Sequence, residues 1–256
     1  MSGSGLPSSA RLRLPDGRQL DYRIRASVRS NSLRLRLTAR EGLVVTVPAG
    51  ISLAELSEMV ATKAAWVARH LPEYERMRQR IDAVASMRPT TLELRAVGER
   101  WEIDYRPEDR RSVLVRVFEL RRLRLSGGVE DVSACQEALR RWLMRYARSV
   151  FEPWLAELAR ETGLGFSGLS VRNQRARWGS CSARGRISLN CKLLFLPPEQ
   201  ARYVMLHELC HRREPNHSHR FWDLLRHFEP DSDALHARMR DAWSMIPAWA
   251  ERGASR

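Results

Sequence analysis

The sequence predicts an α+β protein, with an antiparallel, β-rich N-terminal part and a more helical C-terminal part built around one functional helix. Three observations carry this. Residues 11–47 alternate apolar and polar side chains, a period of two that places every second residue on one sheet face. A second alternating stretch runs from Thr91 to Leu125. From about Asp131 the apolar spacing turns helical, and one later helix carries His207-Glu208-Leu209-Cys210-His211.

The first stretch reads as four strands, marked by Leu12/Leu14, Leu20/Tyr22/Ile24, Leu33/Leu35/Leu37 and Leu43/Val45/Val47. Asp16-Gly17 and Glu41-Gly42 stand where turns are needed. Pro48-Ala49-Gly50 ends the last strand, and Ser52 with Glu55 forms a capping box for a helix near 52–70. That helix carries Leu53, Leu56, Val60, Ala64 and Val67 on one side, with Trp66 expected in the core. The second stretch gives strands at Leu92/Leu94, Trp101/Ile103/Tyr105, Val113/Val115/Val117 and Leu123/Leu125, broken by Ser126-Gly127-Gly128. A helix follows through Leu139, Leu143, Tyr146 and Val150. Pro153 kinks or splits it, and Gly163 and Gly165 stop it. No repeat at solenoid spacing is evident. The expected organisation is a disordered tail over 1–10, a β-rich part over 11–128 and a catalytic part over 129–247, with 11–247 forming one larger domain.

The 256 residues are 43% hydrophobic and 29% charged with a mean hydropathy of −0.44, which suits a globular chain with a real core. No stretch of about eighteen apolar residues exists, so no membrane span or membrane partner is expected. The start, Met1-Ser-Gly-Ser-Gly-Leu-Pro-Ser-Ser, lacks the apolar segment of a signal peptide, and the expected location is the cytoplasm. Cys135, Cys181, Cys191 and Cys210 form no C-x-x-C pair, so neither a zinc ribbon nor a disulfide framework is suggested. The net charge of +14 is almost all arginine, since Lys63 and Lys192 are the only lysines. These arginines are spread along the chain and read as a composition bias more than a binding patch, although the charge favours polyanions.

The chemistry concentrates in the last third. Ser170-Val171-Arg172 reads as a strand, Trp178 to Ser182 as a tight loop, and Arg186 to Asn190 as another strand. Pro197-Pro198 starts a helix with Glu199 in its first turn, and this helix delivers His207 and His211 one turn apart on one face. Two such imidazoles can bind one metal ion, and Glu208, about 100° round the axis, can reach a water held there. His217 supplies a third imidazole and leaves a fourth position for water. Metzincins use glycine for the turn after the second histidine, whereas this chain has Glu214 at that place. Pro215 forces Glu214 away from helical angles, and Asn216 tolerates a left-handed conformation, so a bend is available. Ser218 then caps a new helix bearing Phe221, Trp222 and Leu225. His219 competes with His217 for the third place but falls in the first turn of that helix. His70, His227 and His236 read as surface or packing histidines.

The segments R-W-G-S-C (177–181), Leu189-Asn190, Y-V-x-x-H-E-L-x-H (203–211) and N-H-S-x-x-F-W (216–222) resemble the YgjP-like (DUF45) metallopeptidase-domain family. That family is related to the SprT and Wss1 groups of zincin-like proteins. The resemblance implies a zincin-like catalytic part, one Zn²⁺ per chain on His207, His211 and His217, and Glu208 as general acid/base. It also implies a loop at Arg177-Trp178-Gly179-Ser180-Cys181 bordering the metal and a strand at 186–190 edging the substrate cleft. Arg177, Trp178, Ser180 and Asn190 are therefore its substrate-cleft candidates. Cys210 stands where alanine is usual.

The leading functional expectation is a zinc-dependent hydrolase, a metallopeptidase that cleaves peptide bonds in peptide or protein substrates by Glu-assisted attack of zinc-bound water. One alternative is a metal-dependent phosphohydrolase acting on nucleoside triphosphates, suggested by Arg172, Arg175 and Arg177, although no Gly-rich phosphate loop is present. The other is an SprT-like, DNA-associated protease or binding protein with nucleic acid as partner, although no recognisable DNA-binding module is present.

Overall fold

The computed structural model describes residues 6–27, 30, 32–38, 42–85 and 87–251. The chain forms two compact units, Met1–Val84 and Ala85–Arg256. Residues 1–5 of the expected tail, and Glu41 of the expected Glu41-Gly42 turn, lie outside the described residues.

The first unit contains β1 (Ser9–Arg13), β2 (Gln19–Ser27), β3 (Arg34–Thr38), β4 (Gly42–Pro48), α1 (Leu53–Ala61) and α2 (Ala64–Ala85). The first strand thus starts inside the stretch expected as tail. The sheet order is β1-β2-β4-β3, with β1/β2 and β3/β4 antiparallel and β2/β4 parallel. It is therefore mixed at its centre. The placement of β4 inside β3 follows from composition: Leu43, Val44, Val45 and Val47 are all buried, as a central strand requires. The Arg34-Leu-Arg-Leu-Thr strand exposes its arginines, as an edge strand tolerates.

Ser52 caps α1 by the expected box, its hydroxyl accepting from the Glu55 amide while the Glu55 carboxylate accepts from the Ser52 amide. The single helix expected over 52–70 is two, interrupted at Thr62-Lys63, and the second runs on to Ala85. Leu56, Val60, Val67 and Leu71 pack on Leu12, Tyr22, Leu43, Val45 and Val47. Trp66 does not join them. It is 39% exposed and lies against the His70 ring, because the helix turns Val67 inward.

The second unit opens with β5 (Thr91–Leu94), β6 (Glu99–Pro107), β7 (Val113–Glu119) and β8 (Arg122–Gly127). Their order, β5-β6-β8-β7, repeats that of the first sheet, again with one parallel pair between two antiparallel ones. The long helix α3 (Val132–Thr162) follows, capped by Asp131, whose side chain accepts from the Ala134 amide at 3.0 Å. Pro153 sits inside α3 without ending it.

The boundary between units at 84/85 differs from the division expected near 128. The physical reason is that β5–β8 share a core with α3 and everything after it: Leu92, Trp101, Leu123 and Leu125 pack in one cluster with Leu139, Leu143, Phe151 and Leu206. The remainder is a three-stranded sheet of β9 (Gly168–Arg172), β10 (Gly179–Cys181) and β11 (Arg186–Asn190), then α4 (Pro198–Cys210), α5 (His219–Phe228) and α6 (Ser232–Arg238). Among the described residues, no helix is long and apolar enough to cross a membrane.

Replacing Asp131 by Ala leaves the Ala134 amide without its acceptor. Denaturant unfolding should show a loss of about 1 kcal/mol with an unchanged slope; an unchanged midpoint would show that the cap contributes nothing.

Candidate metal centre

Pro198 opens α4 in the favoured first position and Glu199 follows in its first turn, as the sequence predicts. Tyr203, Val204, Leu206, Leu209 and Cys210 anchor the helix in the core. His207 lies in its last turn, and His211 caps it while still at helical angles (φ −64°), so the one-turn spacing of the two imidazoles survives. The chain then tightens, with the Glu214 amide donating to the Cys210 carbonyl. His211 Nδ1 donates to the Glu214 carbonyl at 3.1 Å, which fixes the ring and leaves Nε2 as the nitrogen available to a ligand. Ser218 takes the capping position of α5, although its side chain makes no capping hydrogen bond.

The bend brings His217 back to the helix. Its Nε2 lies 2.9 Å from His207 Nε2, and the candidate ligand nitrogens of His207, His211 and His217 all lie within 4.8 Å of one another. Tetrahedral coordination with Zn–N near 2.0–2.1 Å sets nitrogens about 3.3 Å apart, so these separations bracket the need. His219 is outside the cluster. Phe221 is the common support: fully buried, its ring centroid lies 4.8, 4.6 and 4.7 Å from those of His207, His211 and His217.

The electrostatics agree. Burial, reinforced by the neighbouring His211, His217 and His236, pushes His207 down to about 3, which holds it as the neutral imidazole that metals bind. Burial pushes the Glu208 carboxyl up to about 8, against the opposing pull of the Arg177 guanidinium. Glu208 is 5% exposed and its Oε2 has no hydrogen-bond partner. A buried carboxyl group with an unpartnered Oε2, beside three converging imidazoles, fits a site completed by a cation.

The surroundings of Glu208 differ from expectation. Residues 179–181, expected as loop, form β10, paired antiparallel with β11 through Gly179↔Leu189 and Cys181↔Ile187. The sheet order β10-β11-β9 puts 186–190 in the middle, with both its edges occupied. Residues 186–190 therefore cannot edge a cleft; β10 is the edge strand nearer α4. Gly179 touches Glu208 so closely that a Cβ there would lie 2.6 Å from Oε1 and 2.7 Å from Cγ. The hairpin behind it turns at Gly185 (φ +78°), where Arg212 packs and donates to the Gly165 carbonyl at 3.0 Å.

Of the cleft candidates, Arg177 is exposed and close enough for its charge to act on Glu208. Strand alternation turns Ser180 to the face opposite Gly179 and Cys181. Trp178 stacks on Trp243 at 3.8 Å between centroids. Asn190 is fully buried; its Nδ2 donates to the carbonyls of Gln174 (3.0 Å) and Arg177 (2.9 Å), and its Oδ1 accepts from the Lys192 amide. These bonds shape the 174–177 loop. The sequence reading missed the close approach of Gly179, for which the glycine before Ser180-Cys181 was the one available signal. His236, which reads from sequence as a surface or packing histidine, is exposed, and its Nδ1 meets the Tyr203 hydroxyl at 3.0 Å beside His207.

Among solved structures, the chain is similar to the metallopeptidase zymogen of Pyrococcus abyssi abylysin, at 22% identity and a TM-score of 0.34, over 36% of this chain and 94% of that one. It is also similar to the metallopeptidase zymogen of Methanocaldococcus jannaschii jannalysin, at 19% identity and a TM-score of 0.33, over 36% and 95% respectively. No curated protein matches. A family model for the YgjP-like metallopeptidase domain matches residues 31–242, which spans both units and contains every residue of the histidine cluster. The chain belongs to the YgjP-like metallopeptidase-domain family.

Proposed function

We propose that the protein is a zinc-dependent peptidase in which His207, His211 and His217 hold the metal and Glu208 moves the proton. The observation that carries this reading is the convergence of three imidazoles beside a buried carboxylate whose Oε2 has no other partner. When bound, zinc supplies Lewis acidity that makes water a nucleophile near neutral pH and polarises the scissile carbonyl.

The chain's own groups supply the rest. Glu208 accepts the proton that the attacking water sheds and returns it to the leaving nitrogen. Its buried setting keeps bulk water from competing for that proton, and the charge of the metal site draws its raised pKa back toward the carboxylate range. Gly179 gives the carboxylate room. An extended peptide lies along β10, the sheet edge next to Glu208, with main-chain hydrogen bonds supplying affinity. Phe221 holds the three rings in one arrangement, which limits the reorganisation that metal binding requires.

A nucleoside triphosphate is the second reading, favoured by the exposed Arg177 guanidinium acting on Glu208. Parallel assays on casein and on a nucleotide panel, each with a chelator control, separate the two. Chelator-sensitive cleavage of casein alone supports the peptidase. Chelator-sensitive release of phosphate alone replaces it with the phosphohydrolase.

Replacing Glu208 by Gln should keep the metal and lower turnover by about 10²–10⁴-fold. A variant that turns over at the parent rate would remove Glu208 from the mechanism. Gly179→Ala should displace the Glu208 carboxylate, costing about 1–3 kcal/mol of stability through overpacking and lowering turnover while metal content holds. Parent-like activity and stability would show that the close approach has no role.

A further inference from the structure

The register of the first sheet gathers charge that is scattered along the sequence. Residues paired directly across strands share a face. Arg11 pairs with Asp21, Arg23 and Arg36 both pair with Val44, and Arg25 and Arg34 both pair with Thr46. Arg13 follows Arg11 by two and joins them. The opposite face carries Leu12, Tyr22, Val45 and Val47 into the core. All six arginines are exposed. Among the described strand residues of this face only Asp21 is acidic, and its pair with Arg11, at 3.1 Å, is itself mostly exposed. Among the described strand residues of this face, six positive charges less one negative leave +5.

Two further features mark this as a surface of one character. Val44 stands in its middle, flanked in register by Arg23 and Arg36, yet is 3% exposed; long arginine stems can cover such a residue while their guanidinium groups stay in water. The described strand positions of this face carry no aromatic residue, and among the unit's described residues the large exposed hydrophobics, Leu53, Met59 and Trp66, are all on its helices.

We propose that this sheet face binds the phosphate backbone of double-stranded nucleic acid. Guanidinium forks match phosphate oxygens better than ammonium groups do. Spacing of about 6.6 Å along a strand and about 4.8 Å between strands spreads them over a surface about 15 Å wide, enough to meet several phosphates. The lack of aromatic platforms argues against single strands, whose bases need stacking partners. The lack of exposed apolar side chains on the face argues against insertion into a lipid surface. Contacts of this kind position a duplex without reading its sequence.

The test uses the full-length protein and a labelled random-sequence DNA duplex of about 20 base pairs, with affinity measured across salt concentration. Five phosphate contacts predict a fall of about 500-fold between about 50 and 200 mM salt. Replacing Arg23, Arg25, Arg34 and Arg36 together by Gln should reduce that fall to about threefold and weaken binding at low salt. The same four positions as Lys should keep the steep dependence. A control replacing Arg141, Arg145, Arg148 and Arg160, exposed on α3, by Gln carries the same net charge and should bind like the parent.

No duplex binding at about 50 mM salt would overturn the proposal. So would parent-like binding by the four-Gln variant, or an equal loss in the α3 control. Binding to phosphatidylserine vesicles without binding to duplex would overturn it in favour of a membrane surface. None of these outcomes depends on the hydrolytic reading of the histidine cluster.

Discussion

Two ionisable neighbours, His207 and Glu208, occupy the last turn of a helix whose other residues there are almost all removed from water. Leu206, Leu209 and Cys210 are fully buried, as are Phe221 and Leu225 on the helix that follows. Withdrawal of water holds His207 neutral and raises Glu208. An unpaired buried carboxylate costs several kcal/mol, which folding alone gives no reason to retain. The second unit is arranged around supporting that cost. Its long α3 and the β5–β8 sheet build the core on which α4 rests, and the Pro215-Asn216 bend returns a third imidazole to the same point.

The walls of the site are held from behind by polar bonds within the core. Asn190 fixes the 174–177 loop, and Lys192, fully buried, donates to the Gln174 carbonyl at 3.0 Å with its ammonium 5.4 Å from the Trp243 ring centre. Asn173 donates to the Ala250 carbonyl, and Arg140 on α3 donates to that of Trp249. Residues 242–251 thus close over the loop, and the Trp178–Trp243 stack belongs to this closure. The loop that carries Arg177 and leads into Gly179 is therefore placed by bonds far along the chain, none of which is local.

That distinction explains what was legible in the sequence. Local chemistry was: the Ser52/Glu55 box, the Pro198 start of α4, the one-turn spacing of His207 and His211, and the bend before Ser218 all follow from neighbouring residues. Relations set by packing were not. Gly179-Ser180-Cys181 is too short to show a period, so from sequence β10 reads as a loop, and the cleft edge that the resemblance implies falls on the central strand β11. The parallel pairing of β2 with β4 depends on which strand of a hairpin turns inward, which alternation does not encode. The shared strand order of the two four-stranded sheets, and the arginine face, appear only when register is known, because residues from 11 to 36 meet across three strands.

Everything proposed for this site requires that the three imidazoles hold one metal ion. Elemental analysis of the purified full-length protein, beside the His217→Ala variant prepared identically, tests it most directly. A metal held by three imidazoles predicts about one zinc per parent chain, a parent melting temperature that falls on chelation, and both effects lost in the variant. A parent without bound metal whose stability ignores added zinc, or a variant that retains the full metal content, would contradict it.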